Sequence, residues 1–216
     1  MFAARSVALA TVGALASFAL VRWQAAGRFV EEPEYTVERQ DGAIEVRRYA
    51  PCVRAETTVV TTDWNRAVNE GFRRLAGYIF GGNQRRRSIA MTAPVTQSAS
   101  SERIAMTAPV TQSREDGSWV ITFTMPRGSR IETLPVPNDT RVALRQLAAR
   151  RVAVLRYSGS SSPDVLAEHE RALRAWLTQN GLAPVGAATS ARYDPPSTVP
   201  WLRRNELWVE LGPVND

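Results

Sequence analysis

No lysine occurs in this chain of 216 residues; all 27 of its basic side chains are arginine. The absence reads as a biased genome composition rather than as a task reserved for arginine. Histidine and cysteine each occur once, as His169 and Cys52. A single thiol excludes an intramolecular disulfide, a cysteine-rich metal site and an iron–sulfur cluster. A single histidine permits no Ser-His-Asp or Cys-His arrangement except around His169. Neither a paired-carboxylate motif nor a glycine-rich phosphate loop occurs, so enzymatic chemistry has little support. Helix-turn-helix, zinc-finger and RNA-binding signatures are also missing. The net charge of +6 therefore does not select nucleic acid as partner, since anionic lipid or a carboxylate ligand would be attracted equally. No acidic, Gln/Asn-rich or proline-rich block marks disorder. The length suffices for one well-cored domain or two small ones.

What is present begins with an apolar run from Ser6 to Val21, set between Arg5 and Arg22-Trp23. The run is short for a spanning helix, long for a signal peptide, and has no polar face for a buried amphipathic helix. Ala14-Leu15-Ala16 offers a small-x-small cleavage pattern, whereas Arg22 and Trp23 would suit a membrane interface if the segment stays. Residues 1–28 are thus expected to export or anchor the chain, and residues 6–21 to meet the membrane. Cytoplasmic residence is the lesser alternative.

Glu31-Glu32-Pro33 ends the linker. Residues 34–39 and 43–49 alternate like strands across the turn signal Asp41-Gly42, and a further extended run covers residues 53–60. Asp63 is a good N-cap. Trp64, Val68, Phe72, Leu75 and Ile79 then recur at helical spacing, up to the stop Gly81-Gly82-Asn83. Next comes an internal repeat: residues 89–98 recur as residues 104–113, both reading Ile-Ala-Met-Thr-Ala-Pro-Val-Thr-Gln-Ser. Two copies are too few for a solenoid. Each reads as a strand with one apolar face, Pro94 and Pro109 marking an edge or a bulge. Trp119, Ile121, Phe123 and Met125 continue the alternation. Residues 126–139 read as loop and 151–157 as strand. A second helix spans about residues 164–179, with Leu166, His169, Leu173, Trp176 and Leu177 on one face. Residues 191–193 and 206–211 are extended. Strands–helix–strands, twice, is α+β with two similar halves.

In this order, Glu45-Val46-Arg47-Arg48-Tyr49, the doubled Ile-Ala-Met-Thr-Ala-Pro-Val, Glu132-Thr133-Leu134-Pro135-Val136-Pro137-Asn138, Ala149-Arg150-Arg151-Val152-Ala153-Val154 and Arg203-Arg204-Asn205-Glu206 resemble the SOUL haem-binding family. Each token alone is weak, but the ordered set covers about residues 33–211. The resemblance implies a distorted antiparallel β-barrel with two amphipathic helices and halves related by a pseudo-two-fold. It also implies likeness to the effector-binding domains of bacterial multidrug sensors. The implied function is non-catalytic binding of haem or another tetrapyrrole in an apolar groove, for storage, buffering or delivery. Alternatives are a scaffold or sensor for another hydrophobic ligand, or an enzyme not yet recognised on this fold.

In the family picture the first helix carries the groove, which here means Val68, Phe72, Leu75 and Ala76. Asn69 and Gly77 stand where relatives can offer basic groups to the propionates; Arg66, Arg73 and Arg74 are the nearby substitutes. Met91 and Met106 are thioether candidates for haem iron, although each reads better as packing on an apolar strand face, from which it could still line the groove. His169 is the one imidazole candidate for an axial ligand. Its place beside Leu166 and Leu173 suits an ordinary polar contact better. Cys52 reads as a small core residue, and Arg203 and Arg204 as pins for the last strand.

Overall fold

The computed structural model describes residues 30–85, 101–115 and 117–212. The segment 1–28 and the first copy of the repeat, Met91 included, lie outside the described residues. No helix among those described is long and apolar enough to cross a membrane.

The elements are β1 (Tyr35–Asp41), β2 (Ile44–Tyr49), β3 (Cys52–Val59), α1 (Trp64–Ile79), β4 (Asn83–Gln84), β5 (Val110–Glu115), β6 (Ser118–Thr124), β7 (Val136–Pro137), β8 (Val142–Leu147), β9 (Arg150–Tyr157), α2 (Pro163–Gln179), β10 (Pro184–Arg192) and β11 (Asn205–Leu211). Nine strands form one antiparallel sheet in the order β1-β2-β9-β11-β10-β5-β6-β3-β8, and β4 pairs with β7 apart from it. The order has an internal symmetry. A strand, a helix and a hairpin (β3, α1, β5-β6) recur as β9, α2, β10-β11. The halves join where β5 meets β10, Ser190 opposite Gln112. The strand preceding each unit crosses to the other half: β2 pairs with β9, and β8 with β3.

The expected barrel is not what forms. Among the described residues β1 and β8 each have one neighbour, so the sheet is open. Both edges are polar. On β1 all residues after Tyr35 are exposed, and β8 turns Arg145 and Gln146 to solvent. Charged, solvated edges resist further pairing.

Both helices cover the same face. Ile121, Gln112, Ser190, Leu207 and Leu155 are successive partners across the strands, so their side chains project to one side. Under α1 lie Val53, Ala55, Val59, Ile121 and Phe123; under α2, Leu173 and Leu177 pack on Ala153 and Val209. Asp63 starts α1 by accepting from the Arg66 N–H at 3.1 Å. Gly71 sets how close α1 comes to the sheet, because a Cβ there would stand 2.7 Å from Cγ1 of Ile121.

Two strands depart from the sequence pattern. The second repeat copy is irregular through Pro109, and only from Val110 does it join the sheet. Ile104 instead turns into the α1 core and donates its N–H to the Ile79 carbonyl at 2.8 Å. β10 runs nine residues, far longer than the three expected.

Candidate functional site

Helix α1 carries two adjacent stripes. One is core: Trp64, Ala67, Gly71, Leu75, Tyr78 and Ile79 are buried. The other is Val68, Phe72 and Ala76, four residues apart, which stay partly open and so share one flank of the helix. Phe72 is 39% exposed, and its ring meets that of Phe123 at 5.4 Å, nearly edge-on. Val68, Phe72 and Ala76 thus form a partly open apolar row on that flank. Leu75 is corrected to the core: it is 0% exposed and packs beneath the helix, out of a ligand's reach.

Arg66 and Arg73 are solvent-exposed on α1. Arg66 approaches Glu70 at 3.9 Å, while Arg74 folds back on Glu70 and donates to the Thr58 carbonyl at 2.9 Å. Met106 is not on a strand. It stands 37% exposed on the irregular stretch before β5. His169 lies half-buried on α2 with its ring 4.2 Å from that of Tyr157. Among the described residues no group of His, Cys, Asp and Glu could hold a metal ion. Burial pushes the Cys52 thiol up, with Arg150 and Arg54 opposing, so it is not a ready thiolate.

At the N-terminal end of α1 the seam between the two halves is aromatic and polar. Trp64 meets Trp119 at 4.7 Å, and the Arg192 guanidinium lies over Trp64 at 5.2 Å. Gln112 and Ser190 are buried on the same face. None of these was singled out from the sequence as a site.

The other face of the sheet holds a second polar cluster. The Glu206 carboxylate accepts from Arg47 at 2.9 and 3.1 Å, Arg204 at 2.9 and 3.1 Å, the Tyr193 hydroxyl at 2.7 Å and the Trp208 indole at 2.8 Å. Tyr35, Tyr49 and Trp208 stack beside it at 5.2 and 5.1 Å. Burial raises the Glu206 pKa, but Arg47, Arg204 and Tyr193 outweigh it and hold the carboxyl below its usual range. Burial first, and then the Glu206 charge, pushes the Tyr193 phenol up. A carboxylate saturated in this way has no lone pair left for proton transfer, so the cluster is a lock between β2 and β11 and not a catalytic base. Arg203 donates to the Thr198 and Pro196 carbonyls at 2.7 and 2.8 Å, pinning the approach to β11 as its pattern suggested.

Two hollows open elsewhere. One of about 190 Å³ is lined by residues 31–34, Cys52, Met125 and Arg127 among others. A more open one of about 420 Å³ lies between residues 102–105, 126–129 and 133–135. The first is below the roughly 300–1,000 Å³ of small-molecule sites. The second is built from loops, and neither includes the α1 flank.

A family model described as "SOUL heme-binding protein" matches residues 30–210. "Heme-binding protein 2" of Homo sapiens is 28% identical over 190 residues, covering 86% of this chain and 88% of the human protein. The Mus musculus protein of that name is 28% identical over 174 residues, covering 80% of each. Among solved structures, the C-terminal domain of EcmrR superposes with a TM-score of 0.56 at 10% identity, over 83% of this chain and 99% of that one. At that identity the likeness is one of fold.

Proposed function

The chain belongs to the SOUL haem-binding family, and on that basis we propose that it binds haem or a related tetrapyrrole non-covalently on the open flank of α1. Its role on this reading is storage, buffering or delivery, without catalysis. The observation that carries the reading is Phe72: a phenyl ring left 39% exposed in a row with Val68 and Ala76, beside a buried core stripe. An apolar row of this kind on a rigid helix suits a flat macrocycle.

Covering one face of a porphyrin removes on the order of 200–300 Å² of ligand surface from water, worth roughly 5–8 kcal/mol before the costs of association. Micromolar affinity follows, with or without a bond to iron. When bound, the iron would supply redox and ligand chemistry. The residues described here supply surface and charge, and His169 is engaged with Tyr157.

The test is a spectral titration of the full chain with hemin and with iron-free protoporphyrin. Both should bind with similar affinity, and Phe72→Asp should weaken both at least about tenfold by placing charge against the macrocycle. No saturable binding of either ligand below about 100 μM would end the tetrapyrrole reading in favour of another hydrophobic ligand. We also propose that residues 1–28 export or tether the domain.

A further inference from the structure

We infer that Arg192 is a carboxylate-binding residue, set in the seam between the two halves to receive the acidic edge of a planar aromatic ligand lying along α1. The source of that carboxylate as a tetrapyrrole propionate rests on the proposed function; the carboxylate site itself does not.

Arg192 lacks the carboxylate partner that other buried arginines have. Arg47 and Arg204 each pair with Glu206, and with Glu45 or Glu32 besides, while Arg74 pairs with Glu70 and Arg151 with Glu38. Arg192 makes no ion pair with any described residue. Its one hydrogen bond is a long one, 3.4 Å from Nη2 to the Ser161 carbonyl, and its Nε is buried with no partner. Of its neighbours the Tyr157 phenol favours its charge and Arg203 repels it, and burial outweighs both. Burial lowers its pKa for the same reason that burial of any lone charge is costly.

The surroundings share the deficit. The Trp119 indole N–H and the Gln112 Oε1 are also buried and unpartnered. Gln112 is the cross-strand partner of Ser190 and of Ile121, and Trp119 sits two residues before Ile121 on β6. Trp64 bridges Trp119 and Arg192. Three unmet polar atoms thus gather around one seam. Each buried orphan costs about 1–3 kcal/mol, more where charged, so the two donors among them, the Arg192 Nε–H and the Trp119 indole N–H, call for a partner that accepts hydrogen bonds and carries negative charge. A guanidinium fork fits a carboxylate with two parallel bonds. The Gln112 amide can turn its NH₂ toward the same anion.

The site also lies at the correct end of the apolar row. Arg192 pairs with Val110, Val110 with Phe123, and Phe123 touches Phe72. Trp64, one helical turn before Val68, is the ring under the guanidinium. A plate resting on Val68, Phe72 and Ala76 would direct an acidic edge toward the start of α1, where Arg192 waits. Asp63 does not neutralise it; that side chain caps the helix.

Two arms test the inference, using full-length wild type, Arg192→Gln and Arg192→Lys. In the first, hemin and its dimethyl ester are titrated in the same low detergent. Arg192→Gln should weaken hemin about tenfold, equivalent to about 1.4 kcal/mol, and leave the ester within twofold; Arg192→Lys should recover part of the loss. In the second arm, 2-naphthoate and its neutral amide are added while the Arg192 Nε–H resonance is followed, identified by its loss in Arg192→Gln. The acid should shift it saturably and the amide should not. Thermal melting should place Arg192→Gln at or above wild type. A naphthoate shift without hemin binding keeps the site and removes the tetrapyrrole. Hemin discrimination without a naphthoate shift supports the site and names the propionate as its occupant. Hemin binding indifferent to Arg192→Gln, together with no naphthoate shift, overturns the inference while leaving the tetrapyrrole reading intact. Equal weakening of hemin and ester with a lowered melting temperature assigns Arg192 to packing on Trp64 and overturns it too.

Discussion

Arg47 and Glu206, 159 positions apart in the chain, meet as a two-toothed pair at 2.9 and 3.1 Å, with their side chains 1% and 0% exposed. The pair ties β2 to β11 across β9. Removing one member of a buried pair strands the other's charge, at about 3–5 kcal/mol. Arg47→Met should fall at the lower end, about 3 kcal/mol, because Arg204 still serves Glu206. Urea denaturation followed by tryptophan fluorescence checks it; a loss under about 1 kcal/mol would mean that Arg204 alone suffices.

The same carboxyl sets an acid limit. Its folded pKa is depressed below the ordinary 4.5, so its contribution is present above that value and is lost as pH falls through and below it. Melting temperature measured from pH 7 to pH 3 should drop below about pH 4.5 in the wild type. The drop should be shallower in Glu206→Gln, which starts less stable and has no proton to take up there. Parallel curves would place the acid sensitivity elsewhere.

Gly71→Ala gains helix propensity of up to about 1 kcal/mol but drives a methyl group into Ile121. Overpacking of this kind costs about 1–3 kcal/mol, so a net loss is expected. Ile121→Val in the same chain should return part of it. Equilibrium unfolding of the two single variants and the double variant decides, and strict additivity would show that the two residues do not press on each other.

His169→Ala should leave tetrapyrrole affinity within twofold and lower stability by about 0.5–1.5 kcal/mol, the scale of one lost ring contact with Tyr157. A vanished Soret shift in a folded variant would make the imidazole an iron ligand instead.

Fractionation of cells expressing the full chain should place it with membranes or outside the cytosol, and deletion of residues 1–28 should return it to the soluble cytosolic fraction. A full chain already wholly soluble and cytosolic would remove the targeting role of the apolar segment.

Helix α1 was legible almost to the residue, because its cap, periodicity and glycine stop are local signals. So were the Asp41-Gly42 hairpin and the alternation through Phe123. β10 was not: its Pro-Val-Gly-Ala-Ala-Thr-Ser-Ala run holds only Val185 and Thr189 as strand formers. It is held extended by β5 on one side and β11 on the other, with Ala191 wholly buried, an instance of tertiary context overriding propensity. β8 was unassigned for a related reason, since the neighbour that organises it, β3, lies far away in sequence. At the candidate site, sequence spacing merged Leu75 with Val68 and Phe72 into one wide stripe. At about 100° per residue Leu75 stands only about 20° from Val68 and about 60° from Phe72, but that turn is enough to bury it against the sheet while Phe72 stays open. Arg192 could not be found in advance, because what marks it is the absence of a partner, and partners are set by the fold.

The exchange of strands between halves has a bearing on how the chain is made. Ile44 of β2 finds its partner at Leu155, so β2 leaves the ribosome long before β9 exists, and with β1 on one side its other edge must stay open while most of the domain is synthesised. Pairing over such separations is slow and exposes strand edges to misassembly. Glu45, Arg47 and Arg48, interleaved with Ile44, Val46 and Tyr49, make β2 a poor template for aggregation during that interval. The guanidinium that ends 1% exposed beside Glu206 thus serves first as a solubilising charge on a hairpin with one open edge, and becomes a structural lock only when the last strand arrives.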